Sequence, residues 1–443
     1  MSSVALQAGG FEVEVRWGSP IGGRGEVGET GRRVVAVSEI PQGPGPRPGM
    51  PTSVRCGREA TQRFPVLAPD YFAGMWEGDP LADAFVADAG LLGDGRAMRM
   101  VRTACREGIG AVADAPASLA ALFAELDDVP EWVDLDAIDR DCRYLGRFTR
   151  QGGIVLGAAS LVSGYANSAA SRPLEMTGRY VESAGVRTIE VASWLVEASA
   201  SGGLQRHAKG FELTVRVRII HALVRWALRD DPRWDEQAWG VPICQAFLAY
   251  TLVEFCLIPL RGMAAIGAAL LPHEVAAYYA RWRYIGHLLG INPALLATNE
   301  AQQDALEQLY LLTRPEVDDY CRDLVAAINN EFLVLEIEQL LIRPLHAIAP
   351  RVVHALERVF LGDRIADELA IPDTRLKHVI RRVGPMVAAI NRAVDRIPGT
   401  LPIRTSLGER YRIKQDARLR ARYSVRHDLV DAAPTGKPHP ARS

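Results

Sequence analysis

The chain has 443 residues, of which 48% are hydrophobic and 23% charged, ordinary values for a globular protein with room for one large domain or two to three smaller ones. Its net charge of −2 argues against nucleic acid as a partner. Six scattered cysteines, Cys56, Cys105, Cys142, Cys244, Cys256 and Cys321, form no CxxC pair and read as reduced, buried thiols of a cytosolic protein. The opening residues Met1–Leu6 show neither the basic region nor the apolar run of a secretion signal, so the expected location is cytoplasmic.

Residues 1–64 are rich in Gly, Pro and Arg. Phe11–Val15 alternates as a short strand, and Pro41–Gly49 breaks regular structure, so this segment reads as a partly disordered arm. Gly22-Gly-Arg-Gly25 lacks the Gly-Lys-Ser/Thr and helix of a phosphate loop. From residue 65 the pattern becomes helical. Asp70–Trp76 is a short helix. Asp79 then caps a second one with Pro80 in its first turn. Thr103–Glu125 is Ala-rich and broken near Pro116, and Leu135–Phe148 follows. Gln151–Ala170 is built of small residues that admit either a neighbouring helix or a flat ligand.

Val181–Ala198 is a long helix carrying Arg187, Glu190 and Trp194, stopped by Ser201-Gly-Gly203. In Phe211–Arg229 the apolar residues Leu213, Val217, Ile220, Val224 and Leu228 recur at steps of three and four, a helix period. Val241–Leu271 is the most apolar part, interrupted by Glu254, Pro259 and Arg261, and reads as buried helices rather than a membrane span. Helices are expected over Ala276–Leu289, Pro293–Leu311, Val317–Leu341, Leu345–Leu361 and Leu376–Val394. Residues 401–443 form a basic, partly helical tail, read mainly as solvated surface, with an anionic-lipid or partner contact as the minor option. The expectation is an all-α protein: one large helical domain over 65–400 between two tails.

Arg218, His221 and Arg225 share one face of the helix 211–229, an imidazole between two guanidiniums. The chain has no HExxH, no paired Glu-x-x-His and no nucleophile elbow. One imidazole with arginines beside it suits haem ligation, the arginines neutralising propionates. The competing reading is a structural His whose neighbours pair with internal carboxylates such as Glu190, Glu197 or Glu254.

Arg216–Arg225 resembles the signature of the rubber oxygenase (latex clearing protein) family, which includes the fungal mycophenolic-acid pathway oxygenase. Gly78–Asp83, Val129–Asp134, Thr177-Gly178, Trp239-Gly240, Trp282–Gly286 and Leu289-Gly290 agree in order, so the resemblance covers roughly residues 70–345. It implies a helical fold with a globin-like core, haem b, His221 as proximal iron ligand with Arg218 and Arg225 beside it, and O2 as co-substrate. The rubber oxygenases of the family use O2 to cleave a carbon–carbon double bond of polyisoprene.

This chain departs from that pattern on the preceding helix. The family's Arg falls on Arg187, but its Lys and Thr positions hold Glu190 and Val191; its distal acidic residue has no secure match, with Glu175 near by. With no export signal either, the expected substrate is a smaller apolar or aromatic molecule, cleaved or hydroxylated, with Arg187 and Glu190 as candidate distal catalytic groups. The competing functions are a haem-free helical binding or structural protein and a non-haem metal enzyme using His221, Glu190 and His287.

Overall fold

The computed structural model describes residues 3–8, 11–16, 49–89, 95–176 and 180–423; over 3–16, 180–184 and at 187 only the backbone is described. Most of the Gly/Pro-rich arm, Thr177-Gly178 and the end of the basic tail therefore lie outside the described residues.

The alternating segment near the start is a strand, β2 (Phe11–Arg16), paired antiparallel with β1 (Ser3–Ala8). All the remaining regular structure described is helical, as the apolar periods require. The helices are α1 (Gly57–Arg63), α2 (Leu67–Gly74), α3 (Pro80–Ala89), α4 (Arg96–Glu107), α5 (Ala117–Asp127), α6 (Leu135–Cys142) and α7 (Thr149–Val155). There follow α8 (Val162–Gly164), α9 (Ser168–Met176), α10 (Tyr180–Ser199), α11 (Lys209–Arg229), α12 (Glu236–Trp239), α13 (Gln245–Phe255) and α14 (Leu257–Ala265). The last group is α15 (Pro272–Leu288), α16 (Glu300–Thr313), α17 (Asp319–Ile328), α18 (Val334–Glu338), α19 (Ala349–Glu368), broken at Gly362, α20 (Leu376–Asp395) and α21 (Thr400–Arg422).

Local chemistry sets many of the boundaries. The Asp79 carboxylate accepts from Ala82 N at 3.1 Å, ahead of Pro80 at the first position of α3. Asp134, Asp235, Asn299 and Asp318 cap α6, α12, α16 and α17 in the same way, each satisfying an amide that has no partner within the helix. The expected helix Pro293–Leu311 is thereby divided: Pro293–Leu295 is a 3-10 turn, and α16 starts only after the Asn299 cap.

The apolar stretch Gln245–Ala265 is long and apolar enough to cross a bilayer by length and composition, yet 78% of its most apolar window is buried inside the body. It is two helices, α13 and α14, that change direction at Cys256. Around them Trp194, Phe255 and Trp282 form an aromatic cluster, with Phe255 and Trp282 stacked at 5.3 Å and Trp194 edge-on to both. Five cysteines are buried as expected, whereas Cys56 is exposed.

Both tails contribute to the helical body. Residues 50–63, assigned by composition to the arm, are fastened by Thr52 N to Gln237 O at 2.9 Å and Arg55 N to Thr313 O at 3.0 Å. At the other end α21 lies against residues 145–155. Gly146 and Gly408 make that approach possible, since a Cβ on Gly408 would fall 1.8 Å from the Gly146 carbonyl oxygen.

Candidate active site: the α10–α11 hairpin and an adjoining cavity

α10 and α11 form an antiparallel hairpin. At its closed end Phe211 N donates to Gly203 O at 2.8 Å, and Gly210 lies where a Cβ would come within 2.5 Å of Glu197 O. One step further on, Trp194 Nε1 donates to Thr214 Oγ1 at 3.0 Å. Helical spacing from that pair places Glu190 across from Val217 and Arg218, and position 187 across from His221. Glu190 is fully buried. Arg187 lies on α10, but its side chain is outside the described residues. Glu175, the nearest acid to the family's distal position, pairs with Arg172.

The two arginines of α11 face α3. Arg218 donates from Nε and Nη2 to the Asp79 carboxylate at 2.6 and 2.9 Å, and from Nη1 to Glu125 on α5 at 2.7 Å. Burial works against its charge, but Asp79 and Glu125 more than offset that and raise its pKa. Arg225 donates from Nη1 to Asp83 at 3.1 Å, while its buried Nε and Nη2 have no hydrogen-bond partner. Burial pushes the Asp83 carboxyl upward, against the pull of Arg225.

The pairing carboxylates are thus Asp79, Asp83 and Glu125, not the Glu190, Glu197 or Glu254 weighed from sequence. Arg218 has Nε, Nη1 and Nη2 all engaged by carboxylates, so the propionate role read from sequence finds no uncommitted nitrogen there. Arg225 retains two. A signal for this arrangement was present: Asp79 and Asp83 stand one turn apart on α3, and Arg218 and Arg225 two turns apart on α11.

Two of the segments that carried the resemblance, Gly78–Asp83 and Leu289-Gly290, meet at this hub. Gly290, at φ +72°, has no room for a side chain: a Cβ would lie 2.4 Å from Asp79 Oδ2 and 2.5 Å from Arg218 Nε. Gln245 Nε2 donates to Gly78 O at 2.7 Å and Gly290 O at 2.9 Å, and Gln245 Oε1 accepts from Asn292 N at 2.8 Å. Trp234 Nε1 donates to Gly240 O at 2.9 Å. His287 stacks at 6.0 Å on Tyr284, and burial lowers its pKa, which favours the neutral ring.

His221 belongs to a different surface of α11. It is half-buried, and so are Val217, Ile220 and Val224 around it, whereas Arg216, Arg218, Ile219, Ala222 and Arg225 are buried. A strip of aliphatic side chains with one imidazole in its middle is therefore incompletely covered by the chain. Among the described residues, no three His, Cys, Asp or Glu side chains come together to hold a metal ion, so the expected set of His221, Glu190 and His287 is not assembled.

On the other face of α10, Thr188, Val191, Ala192 and Leu195 line a cavity of about 1000 Å³. Phe255, Leu333 and Leu356 add apolar wall, and Thr405, Gln415 and Leu419 of α21 close one side, so part of the expected solvated tail is cavity wall. Two π-helical turns border the space, Leu156–Leu161 and Asn329–Leu333, where an added residue widens the helix. The small residues of 151–170 divide between helix packing and the cavity wall. Gly157 permits close packing, a Cβ there falling 2.5 Å from Leu333, while Gly153 borders open space. Val191, the residue at the family's Thr position, lines this cavity; Glu190 beside it turns to α11.

Comparison with known proteins agrees with this architecture. Residues 146–391, more than half of the chain, match the family model described as "ER-bound oxygenase mpaB/B'/Rubber oxygenase, catalytic domain". The chain is 24% identical over 309 residues to the rubber oxygenase of Streptomyces sp. (strain K30), covering 67% of this chain and 71% of that protein. Its fold is similar to that of latex clearing protein LCP in the closed state, with a TM-score of 0.52 at 18% identity over 76% of this chain and 88% of that one. The protein belongs to the mpaB/rubber oxygenase catalytic-domain family and is an all-α oxygenase.

Proposed function

We propose that this oxygenase uses haem b, with His221 as the proximal ligand, to oxidise an apolar or aromatic small molecule with O2. The observation that carries the reading is the half-covered strip Val217, Ile220, His221 and Val224 on a helix that is buried over most of its first half. A flat, apolar prosthetic group needs one protein nitrogen and an aliphatic surface, and the strip presents both. The donor set fits in one further respect: two buried nitrogens of Arg225, Nε and Nη2, have no hydrogen-bond partner and suit a carboxylate.

Bound haem would supply iron at which O2 is bound and activated. The remaining roles belong to side chains of the chain. Arg218, clamped by Asp79 and Glu125, fixes the rotation of α11 and so the direction of His221. Glu190, buried across the hairpin, holds or moves a proton at its carboxylate oxygens, with Arg187 one turn earlier on the same helix. The cavity beside α10, whose wall is partly apolar and includes no residue of α11, is the candidate room for an apolar substrate. A volume of about 1000 Å³ admits a small molecule, and the outcome is double-bond cleavage or hydroxylation.

Pyridine haemochrome analysis of the purified protein tests the reading. About one haem per chain is expected, lost in His221→Ala with the helical circular dichroism retained. Colourless protein after expression with added haem overturns it and favours the haem-free binding protein.

A further inference from the structure

The α20–α21 hairpin carries a surface that the oxygenase reading does not use. On α20, Val379, Val383, Met386 and Ile390 recur at steps of four, three and four and therefore share one face over three turns. They are 54%, 44%, 65% and 61% exposed. Single exposed aliphatic residues are commonplace, but a continuous strip of four is not. The opposite face of α20 is the one the body uses: Gly384 and Ala388 are buried, a Cβ on Gly384 would meet Ala265 O at 2.1 Å, and Asn391 Nδ2 donates to Gly267 O at 2.7 Å. The strip continues through Ile397 in the turn to Ile403 and Leu407 on α21, all more than half exposed.

The charge around the strip has one sign. Residues 375–422 contain thirteen Lys and Arg against three acids, in a chain whose net charge is −2. The three acids are engaged: Asp395 by Arg147 and Arg404, Glu409 by Arg412, and Asp416 by Arg420. Arg375, Arg382 and Arg396 border one side of the apolar strip by helical spacing, and Arg410 and Lys414 occupy the turns after Leu407. These five are exposed and have no carboxylate partner among the described residues.

We infer that the exposed face of the α20–α21 hairpin docks this enzyme on an anionic phospholipid surface. Aliphatic side chains on a helix face bordered by unpaired arginines match a bilayer interface, with acyl chains below and negatively charged headgroups above. A second copy of the chain is a poor occupant, because a two-fold contact through this face sets the same arginines against one another. The sequence reading held membrane contact unlikely, with an anionic-lipid contact of the tail as its minor option; the exposed strip on α20 reverses that order. Docking of this kind would bring an apolar substrate dissolved in the lipid to the enzyme, and it is independent of whether haem is bound.

The test is sedimentation of the full-length protein with vesicles of phosphatidylcholine containing about 30% phosphatidylserine, against vesicles of phosphatidylcholine alone. Binding to the anionic vesicles is expected to be about tenfold stronger or more, and to fall at high salt. The double variant Met386→Glu, Ile390→Glu should lose it. Arg382→Glu, Arg396→Glu should lose the preference for anionic lipid. All four positions are exposed, so unchanged thermal melting confirms that each variant is folded. The inference is overturned if the protein stays in the supernatant with anionic vesicles, or if both variants bind as the parent does. It is equally overturned if light scattering shows a dimer that the Met386→Glu, Ile390→Glu variant dissolves, which would make the face an interface between copies.

Discussion

Two surfaces of α11, less than a turn apart, treat charge and burial in opposite ways. On one, Arg218 and Arg225 are buried and met by Asp79, Glu125 and Asp83 from helices more than ninety residues earlier in the chain. On the other, His221 sits among aliphatic neighbours that the chain leaves half covered. The first surface holds the helix in place; the second is where something else can be held. In sequence the three residues look like one constellation, since all share a helical face. The structure divides them by partner.

The largest effect is expected at the clamped surface. Asp79→Ala removes the bidentate partner of a buried guanidinium and should destabilise the fold by about 3–5 kcal/mol in chemical denaturation. A loss under about 1 kcal/mol would show that water relieves Arg218 there, and the distinction between the two surfaces would fall.

Buried carboxylates without a cation sharpen the same contrast. Glu357 is fully buried, its oxygens have no hydrogen-bond partner, and burial pushes its carboxyl up to about 8. The folded state then holds a proton that the unfolded state releases above the ordinary value of 4.5. Its contribution is therefore intact below about pH 4.5 and declines as pH rises toward 8. The slope is on the order of 1.4 kcal/mol per pH unit. Glu357→Gln should remove that slope from stability measured across this window; an unchanged pH profile would show that the group ionises freely when folded.

A smaller effect separates the two arginines. Arg225→Lys retains a cation for Asp83 but loses the planar fork, and should cost about 1 kcal/mol of stability. Haem content should drop more than the stability change alone explains, since two nitrogens of Arg225 have no partner whereas all three of Arg218 are engaged by carboxylates. Equal losses of haem in Arg225→Lys and Arg218→Lys, after correction for folded fraction, would erase the difference between them.

The smallest effect on stability is expected at the other surface. His221→Ala should change it by less than about 1 kcal/mol, because the ring is only half buried. The same variant should lose all bound haem. Unfolding of His221→Ala to the extent expected for Asp79→Ala would mean that both surfaces are structural.

Much of the secondary structure was readable from pattern. The 3.6-residue period located α11 within two residues of its start, and Asp79-Pro80 marked the start of α3, because a period and a cap are local properties. Other boundaries were legible but overlooked: Asn299 is an ordinary cap, and it divides the helix expected over Pro293–Leu311. The π turn Asn329–Leu333 interrupts the expected Val317–Leu341 without disturbing its apolar stripe enough to be noticed. The candidate site was legible only in part. Its residues were named, but their partners were misassigned, since Asp79 and Arg218 are 139 positions apart and no spacing rule connects them.

The sequence by itself determined the helical class, the oxygenase family and the single imidazole on α11, all carried by short-range patterns and ordered motifs. Tertiary structure alone decided that Arg218 is clamped while Arg225 has donors left over, and that Glu190 and Val191, adjacent in the chain, face a helix and a cavity respectively. It also turned the basic segment after residue 400 into a cavity wall with an exposed aliphatic strip. The physical reason is common to all three. Burial and pairing depend on which distant segment arrives opposite a side chain, and that is a property of packing, not of helical period.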